Sequence, residues 1–212
     1  MNRVAFLIDG FNLYHSLKQA QRDLGGTGTK WLDIKGLCSS YLHLIGGRAE
    51  ISQIYYFSAL AQHLEATNPD VTKRHRNYIA CLEATGVQVQ LGRFKKKTIK
   101  CNHCHHEIKR YEEKETDVAM AAYLLECFIQ DQCDTVVLIT GDTDLAGGVK
   151  VAQRLFPEKK ICFAFPYKRK NAELKTLVRQ SFQINKHSYA QHQFSDPFIC
   201  PDGNTMHKPS SW

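Results

Sequence analysis

Short apolar runs separated by helical patterns constrain this chain more than any other feature. Residues 4–8, 51–57, 87–91, 135–140 and 160–164 are runs rich in Val, Ile, Leu, Tyr and Phe, with 180–184 a weaker sixth. Runs this short and this apolar predict strands buried on both faces. Between them, residues 12–21, 33–44, 69–85, 117–130, 145–155 and 171–178 carry helical patterns. Alternation of this kind predicts an α/β domain, a parallel sheet covered by helices. The clearest helix is 117–130, where Val118, Ala121, Ala122, Leu125, Phe128 and Ile129 predict its buried stripe. Asp70 behind Pro69, and Asp117 behind Thr116, read as helix starts.

Two regions break the alternation. Residues 93–114 hold eight basic residues against three acidic ones and read as a basic, hairpin-like insertion. Residues 186–212 carry His, Ser, Pro and Asp with few apolar repeats and read as an extended tail; Phe198 and Trp212 suggest that it packs back onto a surface or a neighbour. One domain over residues 1–185, with the insertion inside it and a tail over 186–212, is the expected organisation. A chain of 212 residues is ample for one core. No apolar run approaches the ~18 residues of a membrane span, and the apolar stretch 4–8 is too short for the core of a secretory signal. A soluble, cytoplasmic protein is expected, with no membrane partner. Most of its eight cysteines sit in apolar segments (Cys38, Cys81, Cys127, Cys162), as reduced core thiols do.

The acids fall where α/β chemistry happens. Asp9 follows the first strand, Asp142 and Asp144 follow the fourth, and Asp117 opens the helix between. Both strand-ending sets therefore emerge at the carboxyl edge, where open α/β sheets place their ligand crevice. Taken singly, each has a plainer role: Asp9 as a strand-ending turn, Asp142 as a helix cap, Asp117 as a first-turn acid. Together, bare carboxylates repel, and a hard cation such as Mg²⁺ or Mn²⁺ removes the conflict. Such an ion activates water and neutralises charge on a phosphate, so no Ser or Cys nucleophile is needed. Asn12 stands three residues after Asp9, either to orient a phosphate or water or to cap its helix.

The net charge of +7 matters because it is clustered. Lys73, Arg74 and Arg76 lie near the start of the third long helical pattern, and Arg93, Lys95, Lys96 and Lys97 open the insertion. Such residues suit the phosphates of a nucleic acid. Lys168, Arg169 and Lys170 form a second patch, and Phe94, Tyr111 and Tyr167 are candidates for base stacking or for simple packing. Cys101 and Cys104 form a C-x-x-C pair, half of a zinc site. His103, His105, His106, His187, His192, His207, Cys200 or a second copy of the chain are the remaining candidate ligands. A reduced pair without metal and a redox pair are the alternatives.

Three blocks, Phe6-Leu-Ile-Asp-Gly-Phe-Asn-Leu-Tyr14, Glu113-Lys-Glu-Thr-Asp-Val118 and Leu138-Ile-Thr-Gly-Asp-Thr-Asp-Leu145, resemble the signature blocks of the NYN domain, a PIN-like group of ribonucleases. The resemblance runs from about residue 4 to residue 165, in the family's order. It implies a Rossmann-like three-layer fold with central strand order 3-2-1-4-5 and an acidic pocket for one or two Mg²⁺ or Mn²⁺ ions. It also implies RNA, single-stranded or structured, as the substrate. Asp9, Asp117, Asp142 and Asp144 match the family's acidic positions and Asn12 its asparagine. Leu145 stands where family members often carry an aromatic residue. Metal-dependent cleavage of RNA is the function so implied; some members act mainly in RNA binding or regulation. An acidic pair of the topoisomerase-primase type lacks its glutamate after the first strand, and a phosphoaspartate mechanism lacks a second acid at Phe11.

Overall fold

A computed structural model describes residues 1–100, 103–104 and 106–212. The chain runs β1 (Asn2–Asp9), α1 (Gly10–Asp23), α2 (Ile34–Ser40), α3 (Leu42–Ile45), β2 (Ala49–Ala59), α4 (Val71–Ala84), β3 (Gln88–Lys100), β4 (Glu107–Lys114) and α5 (Thr116–Ile129). It continues with β5 (Thr135–Ile139), α6 (Ala146–Leu155), β6 (Lys160–Phe165), α7 (Ala172–Leu177), β7 (Gln180–Gln183), α8 (Lys186–Gln191) and a small β8–β9 hairpin (Phe198–Ile199, Thr205–Met206).

Seven strands form one sheet in the order β4-β3-β2-β1-β5-β6-β7, parallel except for β4. The sheet thus has seven strands where five were expected. The weak sixth run becomes β7, and the insertion adds β4 antiparallel to a lengthened β3. Period-2 alternation explains why the central strands look uniformly apolar. In β1, Val4, Phe6 and Ile8 face one helical layer with Leu13, Leu17 and Leu82, while Ala5 and Leu7 face the other with Met120, Leu124 and Val149. Both faces are buried, which makes three layers.

Three expectations need correction. The buried stripe of α5 is Thr116, Met120, Leu124, Cys127 and Phe128; Val118 and Ile129 are exposed. Every residue of that helix from Val118 to Leu125 is apolar, so spacing alone fits more than one face, and only the sheet selects one. The single helix expected over 33–44 is two, α2 and α3, meeting at Tyr41. Tyr41 is held there by its hydroxyl, which contacts Ser188 Oγ at 2.9 Å and accepts from the Asn185 amide at 3.0 Å.

The third concerns the C-terminal segment, which is folded rather than extended. Tyr189 and Phe194 are buried in the first layer, and Phe198, Met206 and Trp212 pack against it. The Phe194 amide donates to the Trp31 carbonyl at 2.9 Å, and the Asp33 amide to the His192 carbonyl at 2.9 Å. A few aromatic anchors do what a regular apolar repeat does elsewhere. Among the described residues, no helix is long and apolar enough to cross a membrane.

Candidate active site at the carboxyl edge

Register places Asp9 beside the start of the loop that carries Asp142 and Asp144. Ile8 pairs with Ile139 across β1 and β5, so Asp9 and Thr140 are the next residues on adjacent strands. Asp9 is buried, at 6% exposure. Its Oδ1 accepts from the Asn12 amide at 2.9 Å, capping α1, and its Oδ2 accepts from Thr140 Oγ1 at 2.9 Å. The cap therefore coexists with a place at the crevice. Asn12 Oδ1 accepts from the Gly141 amide at 3.2 Å, which ties the start of α1 to the loop after β5. Thr140 Oγ1 also accepts from the Asp142 amide at 3.1 Å, and Asp142 Oδ1 accepts from the Asp144 amide at 3.2 Å. Asp142 is partly exposed and Asp144 exposed.

Gly141 is required here by contact. A Cβ on it would collide with the Arg169 carbonyl oxygen, and its own carbonyl accepts from Asn171 Nδ2 at 3.3 Å. Gly141→Ala is expected to lower stability by about 1–3 kcal/mol, the usual cost of overpacking, and to displace the Asp142 loop. Thermal melting checks the first effect; an unchanged melting temperature would show that the loop yields freely.

The remaining acids come from the hairpin. β3 and β4 pair with Phe94 opposite Glu113 and Arg93 opposite Lys114, bringing the start of α5 back to the carboxyl edge. The turn into α5 passes through Glu115 at φ +86°, a left-handed conformation uncommon for a non-glycine residue. Arg93 Nε donates to Glu115 Oε1 at 2.7 Å and holds that turn. Asp117 follows in the first turn of α5.

The electrostatics show that these carboxyls share one field. Burial raises the Asp9 carboxyl above its usual range against the two hydrogen bonds that lower it, with Asp142 and Glu113 adding to the rise. Asp117 is pushed up to about 6, first by burial and then by the charges of Asp142, Asp9, Asp144 and Glu113. All four aspartates expected at the site are therefore neighbours in this sense. Glu113 is a fifth acid that sequence reasoning missed, although it lies in the second block; Thr116 Oγ1 donates to it. Its signal was its place opposite Phe94, invisible until β3 and β4 are paired. Leu145 is buried in the second core layer, at 2% exposure, so it lines no substrate wall.

Among the described residues, no group of three or more His, Cys, Asp or Glu side chains is arranged to hold a metal ion as the structure stands. The donor chemistry nonetheless fits a hard divalent cation. The groups are all oxygen donors, and burial and mutual repulsion raise two of them, a conflict that positive charge relieves.

The basic candidates divide. Arg93 is paired with Glu115, and Lys97 with Glu112 at 3.0 Å, while Lys73, Arg76, Lys95 and Lys96 are exposed. Arg74 is half-buried against a cavity beside the acids. In the second patch, Lys168 pairs with Asp23 at 2.7 Å. Tyr111 stacks on His63 at 4.2 Å, and Phe94 meets Phe11 at 5.5 Å. The zinc expectation rests on Cys101, which lies outside the described residues; Cys104 is exposed. Of the more distant candidate ligands, Cys200 is buried, His192 Nδ1 lies 2.8 Å from the Ser188 carbonyl oxygen and His207 Nδ1 lies 3.6 Å from Asp196.

A parallel sheet whose first and fourth parallel strands end in clustered carboxylates, with more acids delivered from a helix start, defines an α/β domain of the acidic-crevice type. The NYN domain model matches residues 3–185, and the chain belongs to that family, part of the PIN-like nuclease superfamily. The fold is similar to that of a protein of unknown function from Vibrio parahaemolyticus, with a TM-score of 0.56 and 17% identity over 87% of this chain and 93% of that one. Acinetobacter baumannii MurG is more distantly similar, with a TM-score of 0.34 and 12% identity over 86% of this chain and 41% of that one. The chain matches no curated protein.

Proposed function

We propose that this protein is a ribonuclease that hydrolyses RNA phosphodiester bonds with a Mg²⁺ or Mn²⁺ ion held by Asp9, Asp117, Asp142 and Asp144. The observation that carries the reading is the set of acids at one sheet edge: Asp117 is pushed up to about 6 first by burial and then by the charges of Asp142, Asp9, Asp144 and Glu113. When bound, the ion supplies an activated water and neutralises charge on the scissile phosphate. The chain's own groups do the rest. Asp9, fixed by two hydrogen bonds, is the rigid ligand, and Asp142 and Asp144 are the adjustable ones. Asn12 spends its carbonyl oxygen on Gly141, which leaves its amide N–H groups to donate to a phosphate oxygen. Lys95 and Lys96, exposed on the hairpin, suit sequence-independent phosphate contacts along the strand.

The test is cleavage of single-stranded RNA, duplex RNA and DNA in Mg²⁺, Mn²⁺ or EDTA. Cleavage that survives EDTA would sink the metal mechanism. A second reading, an RNA-binding or regulatory domain that hardly cuts, is favoured by the acids' failure to converge on one point as they stand. Binding without cleavage in any metal would select it.

The pH dependence has a definite sign. A carboxyl whose pKa is raised by folding stabilises the protein below its ordinary value, and that contribution is lost as pH rises through the folded value. For Asp117 the window runs from 3.8 to about 6. Metal-free wild type should therefore lose stability relative to Asp117→Asn across that window. Mn²⁺ should bind at pH 8 and weaken as pH falls through about 6, because protons and metal compete for one oxygen. Calorimetric titration at pH 5 and pH 8 reads the effect. Equal affinities would remove Asp117 from the ligand set.

A further inference from the structure

A cavity of about 370 Å³ lies at the carboxyl ends of β1 and β2, beside Phe94 of β3, next to the acid cluster and distinct from it. Gly10 and Phe11, which directly follow Asp9, form the shared boundary. The size is that of a small-molecule site. Many of its walls are aromatic: Tyr14, Tyr56, Tyr78, Phe94, His63 and Trp212 all line it. Polar groups in the lining are sparse and under-used. His63 Nδ1 is buried without a hydrogen-bond partner, and His75 Nε2 has only a 3.5 Å contact with Ser58 Oγ. Burial holds His75 down to about 4, so at neutral pH it is an uncharged imidazole able to donate or accept.

The charge at the cavity is positive. Lys30 and Arg74 line it. The Lys30 ammonium is lowered by burial and then by the fields of Lys18, Arg74 and Lys208, so four cations share this corner. Among the described residues none of the four is in an ion pair. Aromatic walls with free polar groups, beside uncompensated cations, match a base joined to a phosphate.

We propose that this cavity takes one unstacked nucleobase of the RNA strand, with its phosphate on Lys30 and Arg74, and so seats the adjoining phosphodiester at the acidic edge. The inference rests on the RNA reading above and adds a positioning site to it. It also gives the C-terminal segment a function, since Trp212 forms part of the wall.

The test uses the full chain in EDTA, where cleavage plays no part. Adenosine, guanosine, cytidine and uridine 5′-monophosphates and inorganic phosphate are titrated by calorimetry and by tryptophan emission, because Trp212 lies 6.1 Å from Trp31. At least one nucleotide should bind roughly tenfold or more tighter than phosphate, the worth of stacking one base. Arg74→Ala and Lys30→Ala should each weaken it by roughly tenfold, the worth of a charge-assisted hydrogen bond, and Arg74→Lys should restore part of the loss. Both residues are half-exposed, so the core stays intact. Ala61→Trp, which fills the cavity from its rim, should abolish binding, and single-stranded RNA should displace the nucleotide. Phosphate binding as tightly as every nucleotide, no nucleotide binding, or failure of RNA to compete would each overturn the inference. A wild type that cuts RNA yet binds no nucleotide overturns the base pocket and leaves the ribonuclease reading standing. Nucleotide binding displaced by RNA, with no cleavage in any metal, supports the pocket and overturns the ribonuclease.

Discussion

Asp142→Asn should reduce RNA cleavage by about a hundredfold or more while leaving the chain folded. The side chains are nearly the same shape, and an asparagine oxygen can still accept the Asp144 amide that Asp142 Oδ1 holds at 3.2 Å. What disappears is one negative charge. For the proposed ion, that turns an anionic ligand into a neutral one; several kilocalories per mole of charge stabilisation depend on such charges, and about 1.4 kcal/mol is tenfold in rate. For the metal-free protein the loss is favourable. Asp142 is the first of the charges that raise Asp117, and it also raises Asp9. The variant should therefore melt at the same temperature as wild type or above it in EDTA, and lose the rise that Mg²⁺ or Mn²⁺ gives wild type. Undiminished cleavage would sink the proposed site; an unfolded variant would show that the cap matters more than the charge.

The second large effect is on stability. Trp31→Ala should cost about 3–5 kcal/mol, the range for deleting a buried large aromatic. Trp31 is 0% exposed and its ring meets Tyr78 at 6.1 Å, Phe194 at 5.9 Å and Trp212 at 6.1 Å. Its Nε1–H donates to the Ser195 carbonyl at 3.1 Å, and its own carbonyl accepts the Phe194 amide. It is the hub that fastens the C-terminal segment to the first helical layer. A fall of roughly 10 °C in melting temperature follows for a chain of this size. Limited proteolysis should cut first within the segment around Phe198 and Trp212. A shift of only a degree or two would mean that the segment is held elsewhere.

How much was legible in the sequence differed by element. The central strands were plain, because a strand buried on both faces must be apolar along its whole length. Asp9, Asp142 and Asp144 were legible as a set for a related reason: each directly ends such a run, and a parallel sheet sends every strand's end to the same edge. Asp117 was legible as a helix start and through the family blocks. Glu113 was not, since β4 reads as a solvated charge run until it is paired with β3. The basic run at 93–97 was legible as charge, but not its division of labour. Arg93 holds the left-handed turn at Glu115, Lys97 pairs with Glu112, and Arg74, from α4, is the candidate that reaches the cavity.

The sequence by itself determined the local terms: which runs are buried in the central strands, where most of the helices lie, and which acids stand at strand ends. These depend on a residue and its near neighbours, through period-2 and period-3.6 patterning and capping chemistry. Only the tertiary structure decided which face of α5 is buried, that the last segment folds back onto Trp31, that Glu113 joins the acids, and that aromatics from β2, β3, α1, α4 and the C-terminal segment enclose one cavity. Each depends on groups far apart in the chain meeting in space, and the free energy of those contacts belongs to the pair rather than to either residue.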